Sequence, residues 1–311
     1  MKNVEPDLLE RKGGINTTYE RTLRDKLITL IKGFWYDTVE NIILNKQRFL
    51  YEKNYANEEN EPFVSVYTPT YNRSSILVER AISSVIRQSY KNFEYIVVGD
   101  SCTDDTEQQI EKVGDSRIRF YNLPKRGYRY PPTVENHWYA GPVVPANAAL
   151  RMARGRWIAR IDDDDMWTDD HIESLLRSAQ EGNYEFVTGD SLIEKEGIRK
   201  IGKGNKVFSK YYFPKDKSFK GRNPYVGSTS SFFYRSYLKI FKYNIDCWRK
   251  NWNRVNDIDL IVRFANAGVI FGHLDKVVTY IIPRPGETTI ASDAYMKDAE
   301  NKLRHFEFKS K

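Results

Sequence analysis

The sequence predicts an α/β fold in which a mostly parallel central sheet is flanked by helices and preceded by an N-terminal helical extension. Three observations carry this. From residue 62 onward, short runs rich in β-branched and aromatic residues alternate with stretches whose apolar side chains recur at helical spacing. Two acid-rich clusters, "GDSCTDD" and "DDDD", directly follow strand-like runs, at the ends where the loops of a parallel sheet converge on a ligand. At 311 residues, 40% hydrophobic and 29% charged, the chain can bury a full core.

The composition changes near residue 60. "YEKNYANEENEP", residues 51–62, is polar and ends in proline, so residues 1–60 read as a helical extension and linker. Within it Leu23, Leu27, Leu30, Ile31, Phe34, Trp35, Ile42 and Ile43 recur near the helical period, interrupted at Gly33, as in an amphipathic helix or helix pair. Two uses of residues 20–50 stay open. The apolar face can cap the main domain or a second subunit in a homo-oligomer. Alternatively it can attach peripherally to a membrane, because Arg21, Arg24, Lys26 and Lys32 lie near Phe34 and Trp35.

"FVSVYTP" (63–69) is the first strand, and "SSILVERAISSVIRQSY" (74–90) sets Val78, Ala81, Ile82, Val85 and Ile86 on one helical face. "FEYIVVG" (93–99) is the second strand, and Asp104 with Glu107 three residues on gives a capping-box-like start to the next helix. "RIRFYN" (117–122) is the third strand, "PANAALRMARG" (145–155) a helix closed by Gly155, and "RWIARID" (156–162) the fourth strand. Thr168 then caps a helix through Ile172, Leu175, Leu176 and Ala179 that Gly182 closes. Later, Ile261, Phe264 and Ala265 form the apolar face of a helix closed by Gly268.

A formal net charge of +7 suits a nucleic acid, an anionic membrane face or a phosphorylated small molecule, but no helix-turn-helix or zinc finger supports nucleic acid. With only Cys102 and Cys247, and histidines scattered without HExxH, neither a disulfide framework nor a Cys-rich zinc site is encoded. A reducing cytoplasm is the natural home, at the inner face of the membrane if residues 20–50 attach there. The Asn16-Thr17-Thr18 sequon is then chance. No apolar run nears the length of a membrane span and no signal-peptide pattern is seen. Neither GxGxxG nor GxxxxGK[ST] occurs, so a nucleotide must be held without a glycine-rich phosphate loop. Carboxylates are the available parts. Asp100 can accept hydrogen bonds from a base edge or ribose, and four adjacent aspartates at 162–165 repel one another unless a cation sits among them, which suits a hard divalent metal with oxygen ligands.

The stretches "SVYTPTYNRSSILVERAISSVIRQSYKNFEYIVVGDSCTDDT" and "NAALRMARGRWIARIDDDDMWTDDHIESLL" resemble the nucleotide-sugar-binding half of family 2 glycosyltransferases with the GT-A fold. The resemblance spans residues 63–180 and continues more weakly to about 285. It implies a Rossmann-like nucleotide-binding half at 61–182, an acceptor-binding and catalytic half at 183–290 and a C-terminal tail at 291–311. By the same resemblance Thr68, Pro69, Tyr71 and Asn72 cup the base and ribose, and Asp100 contacts the base, commonly uracil. Asp162 and Asp164 match the outer members of the DxD motif. Asp164 is then the direct ligand of Mg²⁺ or Mn²⁺, and Asp162 lies nearer the ribose or the waters of the metal. Asp163 is counted among the donor contacts, and either it or Asp165 can instead cap the loop entering the next helix. "NRVNDIDLIVRFANAGVIF" resembles the acidic pair and following helix of the family, with Asp257 at the position of the general base and Asn256 replacing the usual first acid. Asp257 would sit in or just before the first helical turn, where the dipole favours negative charge. The implied reaction is a single in-line displacement with inversion. It moves a sugar from a nucleoside-diphosphate donor, UDP-linked for preference, to a hydroxyl acceptor such as a saccharide of a surface polysaccharide or glycoconjugate.

Two departures from the family pattern stand out. Where relatives carry an arginine for the diphosphate, this chain has Pro142, and Arg126, Arg129 or His137 in the preceding insertion can substitute. Where relatives present a histidine to the metal, "YIIPRPGETTI" puts Arg284, whose fork can pair with a diphosphate, while Glu287 can complete a metal site. "YVGSTSSFF" (225–233) resembles the acceptor-side loop. Alternatives are transfer to modified DNA bases, a nucleotidyl or sugar-phosphate transfer on the same kind of sheet, and a non-catalytic nucleotide-sugar-binding protein. Asp100, Asp162, Asp164 and Asp257 occurring together argues against a decayed site.

Overall fold

The runs read as strands are buried on both faces. β1 (Val64–Thr70) and β2 (Phe93–Gly99) are covered along their whole length, which is why they read as nearly continuous apolar stretches rather than as alternating ones. The computed structural model describes residues 20–56, 61–125, 129–131, 133–206, 225–251 and 253–296. In chain order the remaining strands are β3 (Ile118–Asn122), β4 (Trp157–Arg160), β5 (Met166–Trp167), β6 (Phe186–Lys195), β7 (Ile198–Gly202), β8 (Asn205–Lys206), β9 (Tyr225–Val226), β10 (Phe233–Arg235) and β11 (Phe271–Ile281). The main sheet has the order β3-β2-β1-β4-β10-β6-β11-β5, with β7 on β6. Pairing is parallel among β3, β2, β1 and β4 and again between β6 and β11. β10 runs antiparallel between β4 and β6, so one continuous sheet spans residue 182.

Helices close both faces. α1 (Leu23–Trp35) and α2 (Asn41–Ala56) are joined by a π-helical turn at Tyr36–Glu40. The helix runs on through Gly33, and its irregularity falls at the π turn instead. The segment after β1 is α3 (Ser74–Ile76), a π-helical stretch Leu77–Ile82 and α4 (Ser83–Ile86), followed after β2 by α5 (Thr106–Val113). Asp104 lies one residue before the N-cap position, Asp105, and still supplies the oxygen that accepts from the Thr106 N–H at 3.3 Å. The Tyr- and Pro-rich insertion contains a helix the sequence did not announce, α6 (Val134–Ala140), capped by Thr133 through the Asn136 N–H. α7 (Val143–Met152) ends three residues before Gly155. That glycine serves a close approach: a Cβ there would lie 2.5 Å from the Ser65 nitrogen of β1. α8 (His171–Glu181) has Asp170 rather than Thr168 at its N-cap position, because Thr168 gives its hydroxyl to Asp170. α9 (Asn256–Ala267) ends as expected on Gly268 at φ 84°, and α10 (Ala291–Met296) closes the described chain.

Two apolar layers result. One packs α7 and α9 against Phe186, Phe232, Tyr234 and Phe271, and the other packs the α3–α4 segment and α8 against Val64, Val97, Trp157 and Phe233. The N-terminal helices dock mainly through polar groups, with Leu44 and Tyr55 of α2 packed on the core: Asp25 pairs with Arg249, Lys32 with Asp246, Glu40 with Arg263 and Arg48 with Glu185. The extension does pack on the main domain, but the apolar stripe of Leu23, Leu27, Leu30, Ile31, Phe34, Trp35 and Ile42 stays exposed, which corrects the expectation that this face forms the cap.

Glu185, 2% exposed, is the hub of this docking. Its carboxylate accepts from Arg48 Nε and Nη2, each at 2.6 Å, from the Tyr237 hydroxyl at 2.5 Å and from the Ile270 N–H at 2.7 Å. Glu185→Ala strands the Arg48 guanidinium and should cost about 3–5 kcal/mol, read as a lower denaturation midpoint with an unchanged slope.

Candidate active site

β1, β2 and β4 end side by side, and the chain leaves each through a polar turn. Asn72 and Ser101, just past β1 and β2, both take positive φ (50° and 62°), and this tight geometry at two adjacent strand ends aims the loops at a shared cleft. Thr68 and Pro69 are buried in β1. The Thr68 hydroxyl is held by the Ile161 carbonyl and the Tyr95 hydroxyl, each at 2.8 Å, so it fixes the β4 loop rather than facing solvent. Tyr71 is half-buried and Asn72 exposed, with the Asn72 side chain tied to Thr103 of the β2 loop. Asp100 is 2% exposed, and both its oxygens accept from Arg129, each at 2.7 Å. Of the three groups read as substitutes for the diphosphate arginine, Arg129 is thus committed to Asp100 and His137 Nδ1 meets the Tyr130 hydroxyl at 2.9 Å. Arg126 lies outside the described residues.

The four aspartates alternate between exposed and buried. Asp162 and Asp164 turn partly exposed side chains to the cleft, 34% and 28%. Asp163 points inward, accepting from Thr70 and Arg73, each at 2.8 Å, and Asp165 accepts from the Ser230 hydroxyl at 2.5 Å. Neither inward aspartate caps α8, and Asp163 is a brace for the turn. The Ser230 hydroxyl also accepts from the Asp162 N–H at 2.9 Å, while the Ser230 carbonyl takes the Trp167 indole N–H at 2.6 Å. One serine thereby fixes the turn from both ends.

Cations surround the turn. Arg160 is 2% exposed, lies over the Tyr243 ring and donates twice to Asp162 Oδ1 at 3.0 and 3.1 Å; its Nη1 has no partner among the described residues. Arg73 lies 3.4 Å from Asp164 and Arg284 lies 3.9 Å from it, while Arg284 also forks onto Glu287 at 2.7 and 2.9 Å. Arg80 reaches three carbonyl oxygens, of Asp164, Ile282 and Pro283, at 2.7–3.0 Å, strapping the Arg284 loop to the aspartate turn. Burial raises the Asp162 carboxyl above the usual range, with Asp164, Asp163 and Asp257 adding repulsion against the pull of Arg160. Burial raises Asp163 as well and carries Asp165 well above its ordinary value.

Across the cleft, α9 begins with "NDID", whose polar members have three different fates. Asn256 donates to the Tyr139 carbonyl at 2.9 Å. Asp259 is buried between Lys250 and Arg263, which bring its carboxyl down despite burial. Asp257 is half-buried in the first turn, held by the Thr229 hydroxyl and by the Ile258 N–H at 2.7 Å. Thr229 and Ser230 are adjacent, so one short turn touches both Asp257 and the aspartate run.

The oxygen-only donors Asp162 and Asp164 suit Mg²⁺ or Mn²⁺, and Asp162 Oδ2 accepts no hydrogen bond among the described residues, so the donor set fits a hard cation. A second group, Asp190, His273 and Asp275, has ligand atoms within 4.8 Å of one another, and sequence reading missed it. Its buried members already form a relay in which the Gly227 N–H donates to Thr188, Thr188 meets His273 Nδ1 at 3.0 Å, and His273 Nε2 meets Asp190 at 2.8 Å. Arg73, Arg80 and Arg160 were also missed, since nothing in the sequence pairs them with the aspartates.

A carboxylate-lined cleft at the strand ends of a mostly parallel sheet defines a GT-A type α/β protein. The crystal structure of S. aureus TarS 1–349 in complex with UDP-GlcNAc shares the fold, with a TM-score of 0.50 and 21% identity over 72% of this chain and 60% of that one. The family model for glycosyl transferase family 2 matches residues 65–130 and 134–241, and the chain belongs to that family. Among curated relatives, GalNAc(5)-diNAcBac-PP-undecaprenol beta-1,3-glucosyltransferase of Campylobacter jejuni is 31% identical over 189 residues, 59% of this chain and 55% of that protein. UDP-Glc:alpha-D-GlcNAc-diphosphoundecaprenol beta-1,3-glucosyltransferase WfgD of Escherichia coli is 31% identical over 139 residues, 42% of this chain and 49% of that protein. The chain spans about half the length of these relatives.

The alternating pattern makes a direct prediction. Asp163→Ala leaves Thr70 and Arg73 without their buried partner and should cost about 2–4 kcal/mol in thermal unfolding, whereas Asp164→Ala relieves repulsion at a partly exposed site and should cost under about 1 kcal/mol.

Proposed function

We propose that this chain is an inverting glycosyltransferase that moves a sugar from a nucleoside-diphosphate donor, UDP-linked, to a hydroxyl of a lipid-linked glycan. The observation that carries the reading is the meeting of Asp162, Asp164 and Asp257 in one cleft, braced by the Thr229-Ser230 turn. Residues 61–182 form the donor half, since they supply Asp100 and the aspartate run. Residues 183–290 form the acceptor half and supply Asp257, Ser230 and Arg284. The acceptor class is supported by relatives whose names specify diphosphoundecaprenol-linked substrates.

On the donor side, Tyr71 and Asn72 line the loop that would receive the base and ribose. Asp100, oriented by Arg129, would accept from a uracil edge. Asp164 and Asp162 would hold Mg²⁺ or Mn²⁺, which when bound would neutralise charge growing on the departing diphosphate. Arg284 and Arg73 bring guanidinium groups to the same rim, where a fork matches phosphate oxygens. Asp257, on the far side of the cleft, is the general base. Its carboxylate takes the proton of the acceptor hydroxyl as that oxygen attacks the anomeric carbon, and the Thr229 hydroxyl orients it. Attack from the base side and departure from the diphosphate side together invert the configuration.

Asp257→Asn keeps shape and should lower sugar transfer about 10²–10⁴-fold while UDP affinity by calorimetry stays unchanged; equal turnover with intact binding would end the assignment. Chelation by EDTA should abolish transfer and Mn²⁺ should restore it. Arg284→Ala should weaken UDP binding, and unchanged affinity would remove Arg284 from the donor site.

A further inference from the structure

The first N-terminal helix carries its polarity inside out. On α1 the residues turned to the body are polar. Asp25, 1% exposed, is held by Arg249, Lys32 by Asp246 and Asn244, and the Thr29 hydroxyl lies against the Arg249 carbonyl. The apolar stripe faces outward, with Leu23 83%, Leu30 70%, Ile31 60% and Phe34 72% exposed. α2 repeats the arrangement in part: its inner side buries Leu44 and packs Tyr55 against the core beside the Arg48–Glu185 pair, while on its outer side Ile42 and Phe49 are 68% and 83% exposed. Burial inside the protein cannot stabilise such a stripe. Rolling the helix to hide it would break the Asp25 and Lys32 ion pairs.

Charge selects the occupant. Arg24 and Lys26, the exposed charged residues of α1, are both cationic, and Lys46 and Lys53 extend the same sign along α2. A second copy docked through this face about a two-fold axis would press these cations against their own images. An apolar stripe rimmed by cations, with Phe34 and Trp35 at one end, instead matches a helix lying in a membrane interface. We propose that α1 and α2 form a docking face for a bilayer surface bearing anionic headgroups. Leu27, Leu30, Ile31 and Phe34 enter the boundary between headgroups and acyl chains, and Arg24 and Lys26 meet the anionic groups. The docking deepens the reading of a lipid-linked acceptor, since it holds the cleft at the surface where such an acceptor resides, but its test requires no turnover.

The experiment is co-sedimentation of the full chain with vesicles of phosphatidylcholine alone or mixed with phosphatidylglycerol. The wild type should bind the mixed vesicles. Arg24→Glu with Lys26→Glu should weaken that binding by about tenfold or more, and Leu27→Glu with Leu30→Glu and Phe34→Glu should abolish it. Both variants should keep the wild-type melting profile by circular dichroism. The proposal is overturned if the wild type binds neither vesicle, or if the charge-reversed variant, which leaves the apolar stripe intact, binds mixed vesicles as tightly as the wild type. It is equally overturned if light scattering shows a dimer that the apolar variant dissolves while vesicles bind nothing. Loss of UDP binding and transfer with vesicle binding intact would count against the transferase reading and leave the docking face standing.

Discussion

Carboxylates on four consecutive residues repel one another, and much of the cleft is arranged to hold them in place. Their counter-groups arrive from distant parts of the chain: Thr70 at the end of β1 and Arg73 just past it, Arg160 at the end of β4, Ser230 before β10 and Arg284 after β11. Because Thr70, Arg73 and Ser230 hold the side chains of Asp163 and Asp165 inward, the run divides into two inward braces and two outward groups facing the cleft. Burial raises the carboxyls of Asp162, Asp163 and Asp165, and repulsion within the run adds to it. A positive ligand in the cleft meets a site already short of compensating charge.

A second line of ion pairs positions the opposite wall. Glu40 of the π turn holds Arg263, Arg263 holds Asp259, and Asp259 holds Lys250, all on or beside α9. This ladder sits next to the turn that carries Asp257, so the N-terminal helices and the proposed base share one polar scaffold. The buried pairs contribute more to geometry than to net stability, since desolvation offsets much of their attraction.

The parts legible in the sequence were those whose signal is local. β1 and β2 showed themselves because both faces are buried, and α9 because its apolar face and closing Gly268 are plain, whereas Asp257 was singled out by the family resemblance. The placement of the acidic clusters at strand ends followed from the same alternation. α6 was hidden because its cap, Thr133, follows a run of Pro and Tyr that reads as loop. The helical period of α1 was plain, but the direction of its stripe was not, because that is set by Arg249 and Asp246 far along the chain. Arg73, Arg80 and Arg160 likewise carry no local signal. Only tertiary pairing turns them into supports of the aspartate turn, and the Asp190 and His273 pair was invisible for the same reason.

Arg80 holds the rim of the cleft by main-chain oxygens alone, those of Asp164, Ile282 and Pro283. A clamp that grips peptide carbonyls is indifferent to the side chains mounted on them. The side chains at 282 and 283 are therefore free to change through descent without loosening the two loops from each other. The wall of the cleft is a fixed frame with interchangeable facing, and a lineage can alter what that facing recognises while keeping the aperture the same width.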